Sequence, residues 1–251
     1  MPTDNCSAMP EQLFFTRLLN QVLAGPVTAV LRALHIEPNY PQAPITNAVA
    51  MEVLVMGLLL VFFVILRTRL SVEGPGGLQH VFEGLHGFVE GQSRDVIGPH
   101  SERFTPFLMT LGLFILIGNL FGVVPGLDSP TGSPVVPLGC AICAFAYYQY
   151  QGFRASGIGY LKHFLGPMWW LAPLMLPLEI ISHLARVMSL TIRLYANMFA
   201  GDMVTLVFFS LIPIVVPVIF LGLHIGVALL QAYIFVLLTT VYLAGAVATE
   251  H

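Results

Sequence analysis

Apolar runs with sparse polar punctuation fill most of this 251-residue chain. Ala48 to Leu66 is a run of about 19 residues closing on Arg67 and Arg69, long enough to cross the hydrocarbon of a bilayer as a helix. Thr105 to Val124 and Val135 to Phe153 repeat the pattern. The second of these closes on Arg154, and its Tyr147, Tyr148 and Tyr150 fit an interfacial aromatic belt. A longer run follows at 168–212, with neither Gly nor Pro between Leu178 and Ala200. As one helix it would extend about 65–70 Å, roughly twice the hydrocarbon thickness. The pattern therefore predicts one long, strongly tilted helix rather than two upright ones. Pro213 and Pro217 bracket the next turn, and 218–247 is a last helix, also too long to stand upright.

The segments between these runs have a different character. Gly74 to Gly77 breaks the chain, and 76–97 predicts an amphipathic helix lying on the membrane surface. Its Leu78, Val81, Phe82, Leu85 and Val89 face one way, with Glu83, His86 and Glu90 elsewhere. Residues 125–134 form a turn-rich loop, and 157–166, with Lys162 and His163, a short polar connection. At the N-terminus, Glu11 to His35 predicts an amphipathic helix with Phe14, Leu18, Val22 and Ala29 on one side. Pro38, Pro41 and Pro44 then make an extended linker. Asp4, Glu11, Asn20, Gln21 and Pro26 disqualify the start as a signal peptide. The expected architecture is an all-α polytopic membrane protein. It has about five crossing helices (48–66, 105–124, 135–153, 168–212 and 218–247) and the surface helix at 76–97. Residues 1–47 form an N-terminal segment, and 48–251 the membrane domain.

Composition agrees with a bilayer as solvent. Hydrophobic residues are 57% of the chain and charged ones 9%, against about 25% charged in soluble domains. A net charge of −3 gives no footprint for a nucleic-acid partner. Three cysteines are too few for a disulfide framework, and Cys140 and Cys143 lie in an apolar run without a second ligand pair, so they read as packing residues. His80, His86 and Glu90 do not have metal-ligand spacing, and no cofactor is expected. With five crossings, Arg67, Arg69, Arg94, Arg103, Arg154 and Lys162 share one side, and only Arg17 and Arg32 lie on the other. The positive-inside bias then puts the N-terminus outside and the C-terminus in the cytoplasm.

The chemistry lies in the last two helices. Arg193 sits within the apolar run, where a charge costs about 2.5–3.5 kcal/mol on insertion scales. Guanidinium cannot escape that cost by losing its proton, so Arg193 must face water, an acid or a polar partner. Glu179, Arg186 and Arg193 follow each other at i+7, drifting only about 20° per step. His183 and Asn197 lie about 40° to one side of that strip. Arg186 reads as a structural charge, snorkelling or paired with Glu179 or His183. Asp202 points to the opposite side, about 13 Å further along the axis than Arg193. On the final helix His224 and Gln231 share a face at i+7, and a turn at 213–217 brings Asp202 and His224 to similar depth. Asp202 and His224 can exchange protons, and Arg193 cannot. Exchangeable groups on either side of a permanent cation suit a proton route that must not run straight through.

The segment Ser189-Leu-Thr-Ile-Arg-Leu-Tyr-Ala-Asn-Met-Phe-Ala-Gly-Asp202, preceded by Glu179 and followed by His224 and Gln231, resembles subunit a of the bacterial F-type rotary ATP synthase. The likeness is strongest from Pro177 to Tyr242, and a weaker one, including Gly118 to Pro125, extends back to about residue 48. It implies a stator subunit of the bacterial plasma membrane that carries protons to and from a rotor ring of c subunits, beside peripheral-stalk b subunits. By that resemblance Arg193 faces the rotor carboxylate and blocks a direct leak. Asn197, Asp202, His224 and Gln231 would line the outside half-channel, and Glu179 with His183 and Ser189 the cytoplasmic one. Asp202 departs from members carrying Glu or His there. Gly122 stands where some members carry an acid, so no proton role falls on it. No nucleotide motif is present, which leaves ATP chemistry to partner subunits. The alternative class is a secondary transporter holding an anionic solute at Arg193, but no internal repeat supports it. A purely structural membrane subunit would not need so many titratable groups at bilayer depth.

Overall fold

A computed structural model describes residues 13–33, 43–70, 76–99, 101–124, 127–157, 172–211 and 215–247. Cys6, Pro38, Pro41, the Gly74–Pro75 break, the connection with Lys162 and His163, and Pro213 lie outside them. Seven helices make up the fold among the described residues: α1 Phe14–Ala33, α2 Asn47–Arg69, α3 Gly77–Ile97, α4 Thr105–Phe121, α5 Val135–Ser156, α6 Ala172–Leu211 and α7 Val215–Val247. The chain is an all-α protein of the polytopic membrane type. By length and composition α2, the Pro173–Phe208 part of α6 and the Val218–Val247 part of α7 can each cross a membrane, and α4 is a shorter apolar helix.

Local chemistry sets the helix ends. Thr46 caps α2, its hydroxyl accepting from the Val49 N–H at 3.4 Å, so that a donor without an intrahelical partner is satisfied. Pro106 occupies the first turn of α4, where a missing N–H costs nothing. Gly98 and Gly157 stop α3 and α5 at φ +95° and +55°, a region that side chains with a Cβ rarely adopt. Several boundaries differ from the sequence expectation: α2 runs on to Arg69, α4 stops at Phe121 and α5 reaches Ser156. Pro217 does not flank the turn: α7 begins at Val215 and holds Pro217 within its first turn, where the helix tolerates proline for the same reason as at α4.

α6 and α7 form an antiparallel pair that organises the rest. Phe208 stacks on Phe220 at 4.3 Å between centroids, Asn197 meets Gln231, and Arg186 lies over Tyr242. Each step back along α6 is matched by an equal step forward along α7. With 40 and 33 residues they extend about 60 Å and 50 Å, so neither can stand upright in a hydrocarbon layer of about 30 Å. α4 and α5 pack against the pair through Ile115, Cys140, Ala141, Ala144, Leu194, Ala228 and Phe235. The small side chains among these let the helix backbones come close, which matters where lipid offers no hydrophobic driving force between helices. Cys140 is in that core but Cys143 is exposed, so only the first of the two is a packing residue.

The outer elements are fixed by polar contacts while their apolar surface faces outward. α1 buries Thr16 and Asn20 and exposes Phe14 and Val22. The Asn20 amide brackets Ile45, donating to its carbonyl and accepting from its N–H, each at 3.1 Å. On α3 the apolar stripe divides. Phe82, Leu85 and Val89 pack inward, whereas Leu78 and Val81 are exposed. α2 and α6 also expose rows of Leu, Ile, Val and Met, a surface that needs lipid or a partner to cover it.

Candidate functional site

α6 carries three polar stations in succession, and α7 and α5 supply their partners. At the C-terminal station the His224 ring is buried, 4% exposed, with Nε2 3.8 Å from Asp202 Oδ1. Among the described residues neither ring nitrogen has a hydrogen-bond partner. Three glycines make the room. A Cβ on Gly201 would stand 3.1 Å from the His224 ring, and Cβ atoms on Gly122 and Gly132 would stand 2.9 and 3.0 Å from the two Asp202 oxygens. The turn holding Gly132 is pinned by a buried chain of hydrogen bonds. Ser129 donates to the Thr131 hydroxyl at 2.7 Å, with the Gly118 carbonyl as its alternative acceptor at 3.2 Å, Thr131 donates to Asn119 Oδ1, and Asn119 Nδ2 donates to the Ala228 carbonyl. Each buried polar group in that chain has a partner, which is the condition for such a network to rigidify rather than destabilise.

The middle station is built on the next turns toward the N-terminus. Asn197 Nδ2 donates to Gln231 Oε1 at 2.9 Å, and Gln231 is 1% exposed. One turn further, half-buried Arg193 donates from Nη2 to the exposed Ser189 hydroxyl at 3.1 Å. Among the described residues no carboxylate lies within 4.0 Å of Arg193. Its guanidinium is therefore met by one exposed hydroxyl and keeps part of its surface open.

The N-terminal station is Glu179 with His183. His183 Nε2 is 3.3 Å from Glu179 Oε1, and Nδ1 is 3.1 Å from the Tyr148 hydroxyl on α5. The strip of Glu179, His183, Arg186, Arg193 and Asn197 is thus not one continuous aqueous face, because His183 turns into the protein. Arg186 pairs with neither Glu179 nor His183. Its guanidinium lies 5.1 Å from the Tyr242 ring centroid, a cation–π contact that shelters the charge on an aromatic face. Tyr148 does not belong to an interfacial belt: it is 2% exposed, and Tyr147 stacks on Phe107 at 3.7 Å. Tyr150, exposed, suits that place.

Along α6, Glu179 lies 14 residues before Arg193 and Asp202 nine after it, about 21 Å and 13 Å along the axis. The two acid–histidine pairs are thus about 35 Å apart, on a helix that carries an arginine between them. All eight residues expected to act have a place: Glu179 with His183, Ser189 with Arg193, Asn197 with Gln231, and Asp202 with His224. Arg193 touches neither acid–histidine pair. From sequence Tyr148 reads only as belt and Ser129, Thr131 and Gly132 only as turn, so their places at the two acid–histidine pairs come from the packing. Asn119 did carry a signal, being an amide inside an apolar run.

A stator subunit and a solute transporter could both hold such an arginine, and comparison with known proteins separates them. The ATP synthase A chain family model matches residues 49–244. The chain belongs to the ATP synthase A chain family. The match covers all eight residues and runs from α2 through most of α7. The ATP synthase subunit a of Koribacter versatilis is 57% identical over 244 residues, covering 97% of this chain and all of that protein. That of Solibacter usitatus is 51% identical over 235 residues, covering 93% and all of it. Family membership and long apolar helices together make this a membrane protein of ATP synthesis and proton transport, and the transporter alternative falls away.

Proposed function

We propose that the chain is the stator proton-channel subunit of an F-type ATP synthase, with two offset half-channels meeting a rotor ring of c subunits at Arg193. The separation of the two acid–histidine pairs by about 35 Å of α6, with Arg193 between them and no acid at its guanidinium among the described residues, carries this reading. Asn197, Asp202, His224 and Gln231 serve the outside half-channel, and Glu179, His183 and Ser189 the cytoplasmic one. The open side of Arg193 suits a carboxylate supplied by the rotor. Facing that permanent cation, a rotor carboxylate gives up its proton, and a protonated site cannot slip past. Protons then cross only by riding the ring, each delivering about 2.3 kcal/mol per 100 mV. The two unpaired nitrogens of His224 suit a water-filled cavity, since buried polar groups of that kind are met by ordered water.

The wider arrangement follows from the same reading. Five crossings, α2 and α4 to α7, put residues 1–47 outside and the C-terminus in the cytoplasm of a bacterial plasma membrane. α3 lies on the cytoplasmic surface, and the peripheral-stalk b subunits and lipid cover the exposed apolar faces. The chain carries no nucleotide chemistry and acts only within the complex. The test is Arg193→Lys in membrane vesicles carrying the assembled complex. Lysine keeps a charge but as a compact ammonium that loses its proton readily when buried, so ATP-driven proton pumping is expected to vanish while assembly persists. Wild-type pumping by that variant would remove Arg193 from the mechanism.

A further inference from the structure

Tyr148 stands outside every role assigned so far, yet it is the inward partner of the N-terminal acid–histidine pair. Its ring is packed against Phe145 at 5.3 Å and Tyr242 at 6.1 Å between centroids. A phenylalanine would fill that space equally well. A buried phenol hydroxyl costs free energy unless it is hydrogen-bonded, and here it reaches His183 Nδ1 at 3.1 Å while Nε2, on the far edge of the same ring, faces Glu179 Oε1 at 3.3 Å. The imidazole therefore bridges an interior hydroxyl and a carboxylate that is one-third exposed.

We propose that Tyr148 is a positioning residue for proton transfer at the Glu179–His183 pair, its hydroxyl holding His183 in the tautomer that presents Nε2–H to Glu179. This rests on the reading of that pair as part of the cytoplasmic half-channel. A neutral imidazole has one N–H and one lone pair. An ionised Glu179 only accepts, so Nε2 carries the hydrogen, and Nδ1 takes the O–H of Tyr148. When His183 gains a proton, from a hydronium that reaches the pair and leaves as water, it does so at Nδ1, the one nitrogen with a lone pair. The Tyr148 hydroxyl then rotates and accepts from Nδ1–H, keeping its own proton, while Nε2–H still donates to Glu179. One proton is added, no bond of Tyr148 breaks, and the same hydroxyl serves both states because it is both donor and acceptor. The charged and titratable groups near His183 include Glu179 and Arg186 on α6 and Tyr148 on α5, with Tyr242 on α7 against Tyr148 and under Arg186.

The experiment compares Tyr148→Phe, Glu179→Gln, His183→Leu and the Tyr148→Phe/His183→Leu double variant in the assembled complex. Passive proton conduction is measured across a range of pH after the soluble sector has been stripped from the vesicles. The Phe variant is expected to conduct about five- to tenfold more slowly, the factor belonging to one neutral hydrogen bond, and with an altered pH profile. Adding it to His183→Leu should change nothing further. Phe keeps the ring packing, so a purely structural Tyr148 predicts a wild-type rate and profile. That result, alongside slowed conduction in Glu179→Gln, would overturn the role of Tyr148 and leave the half-channel standing. Wild-type conduction in Glu179→Gln would overturn both. Should the Phe complex fail to assemble, 3-fluorotyrosine at 148 keeps the shape and makes the hydroxyl more acidic. The expected outcome is then a displaced pH profile, and an unchanged one would contradict the proposal.

Discussion

Asp202 reaches only a short way from α6, and its surroundings stand close about it. Gly122 and Gly132 leave their Cβ space to the carboxylate, and His224 comes within 3.8 Å from the other side. Two titratable groups that close do not act independently. Replacing Asp202 by Asn and His224 by Ala should each slow passive proton conduction, and the double variant should lose less than the sum, with a coupling of at least about 0.5 kcal/mol. Arg193 lies about 13 Å further along α6, and its cycle with Asp202 should give a smaller value. Strict additivity for Asp202 and His224 would mean that they do not share a pocket. The depth match of these two was legible in the sequence, because helical rise and one turn position fix it. The glycine cradle was not, since it comes from α4 and the turn at Pro130–Gly132, which no periodicity in α6 or α7 reports.

At the level of elements, a contrast between α6 and α5 shows what periodicity encodes. Glu179, His183, Arg193 and Asn197 were placed on one side of α6 from the 3.6-residue repeat alone. That His183 turns away toward α5, and that Tyr148 receives it, depends on which helix packs beside which. Binary patterning is silent on that lateral order, so a tyrosine near the end of an apolar run reads as belt when it is core. The same limit applies to α3, whose apolar stripe is split between the bundle and its surroundings. Its position does permit a test of orientation. Gln79 is buried and bonded to Glu83 at 2.7 Å, so it is a poor labelling site, but Asp95 is exposed. A cysteine at Asp95, with Cys6, Cys140 and Cys143 replaced, should react with an impermeant thiol reagent in inverted vesicles and stay unlabelled in intact cells. Labelling from the external face would reverse the proposed topology.

For the whole molecule, the proposed mechanism requires that water reach the two acid–histidine pairs from opposite sides and nowhere else. α6 carries one pair whole and the acid of the other, and α7 supplies only His224. Each is too long to stand upright in a bilayer, so the two ends of the pair meet opposite faces at points displaced sideways from one another. In that mechanism Arg193 stands where the two routes would otherwise join. The all-α membrane class and the order of the polar stations could be read from one sequence because bilayer thickness and helical rise leave few alternatives. The direct measurement places single cysteines at Met175, one turn before Glu179, and at Thr205, one turn after Asp202, in a background without Cys6, Cys140 and Cys143. Proton conduction is followed while an impermeant thiol reagent is added to one side of the membrane at a time. Met175→Cys should be blocked only from the cytoplasmic side and Thr205→Cys only from the outside. Block of both from one side, or of either from both, would contradict two offset half-channels.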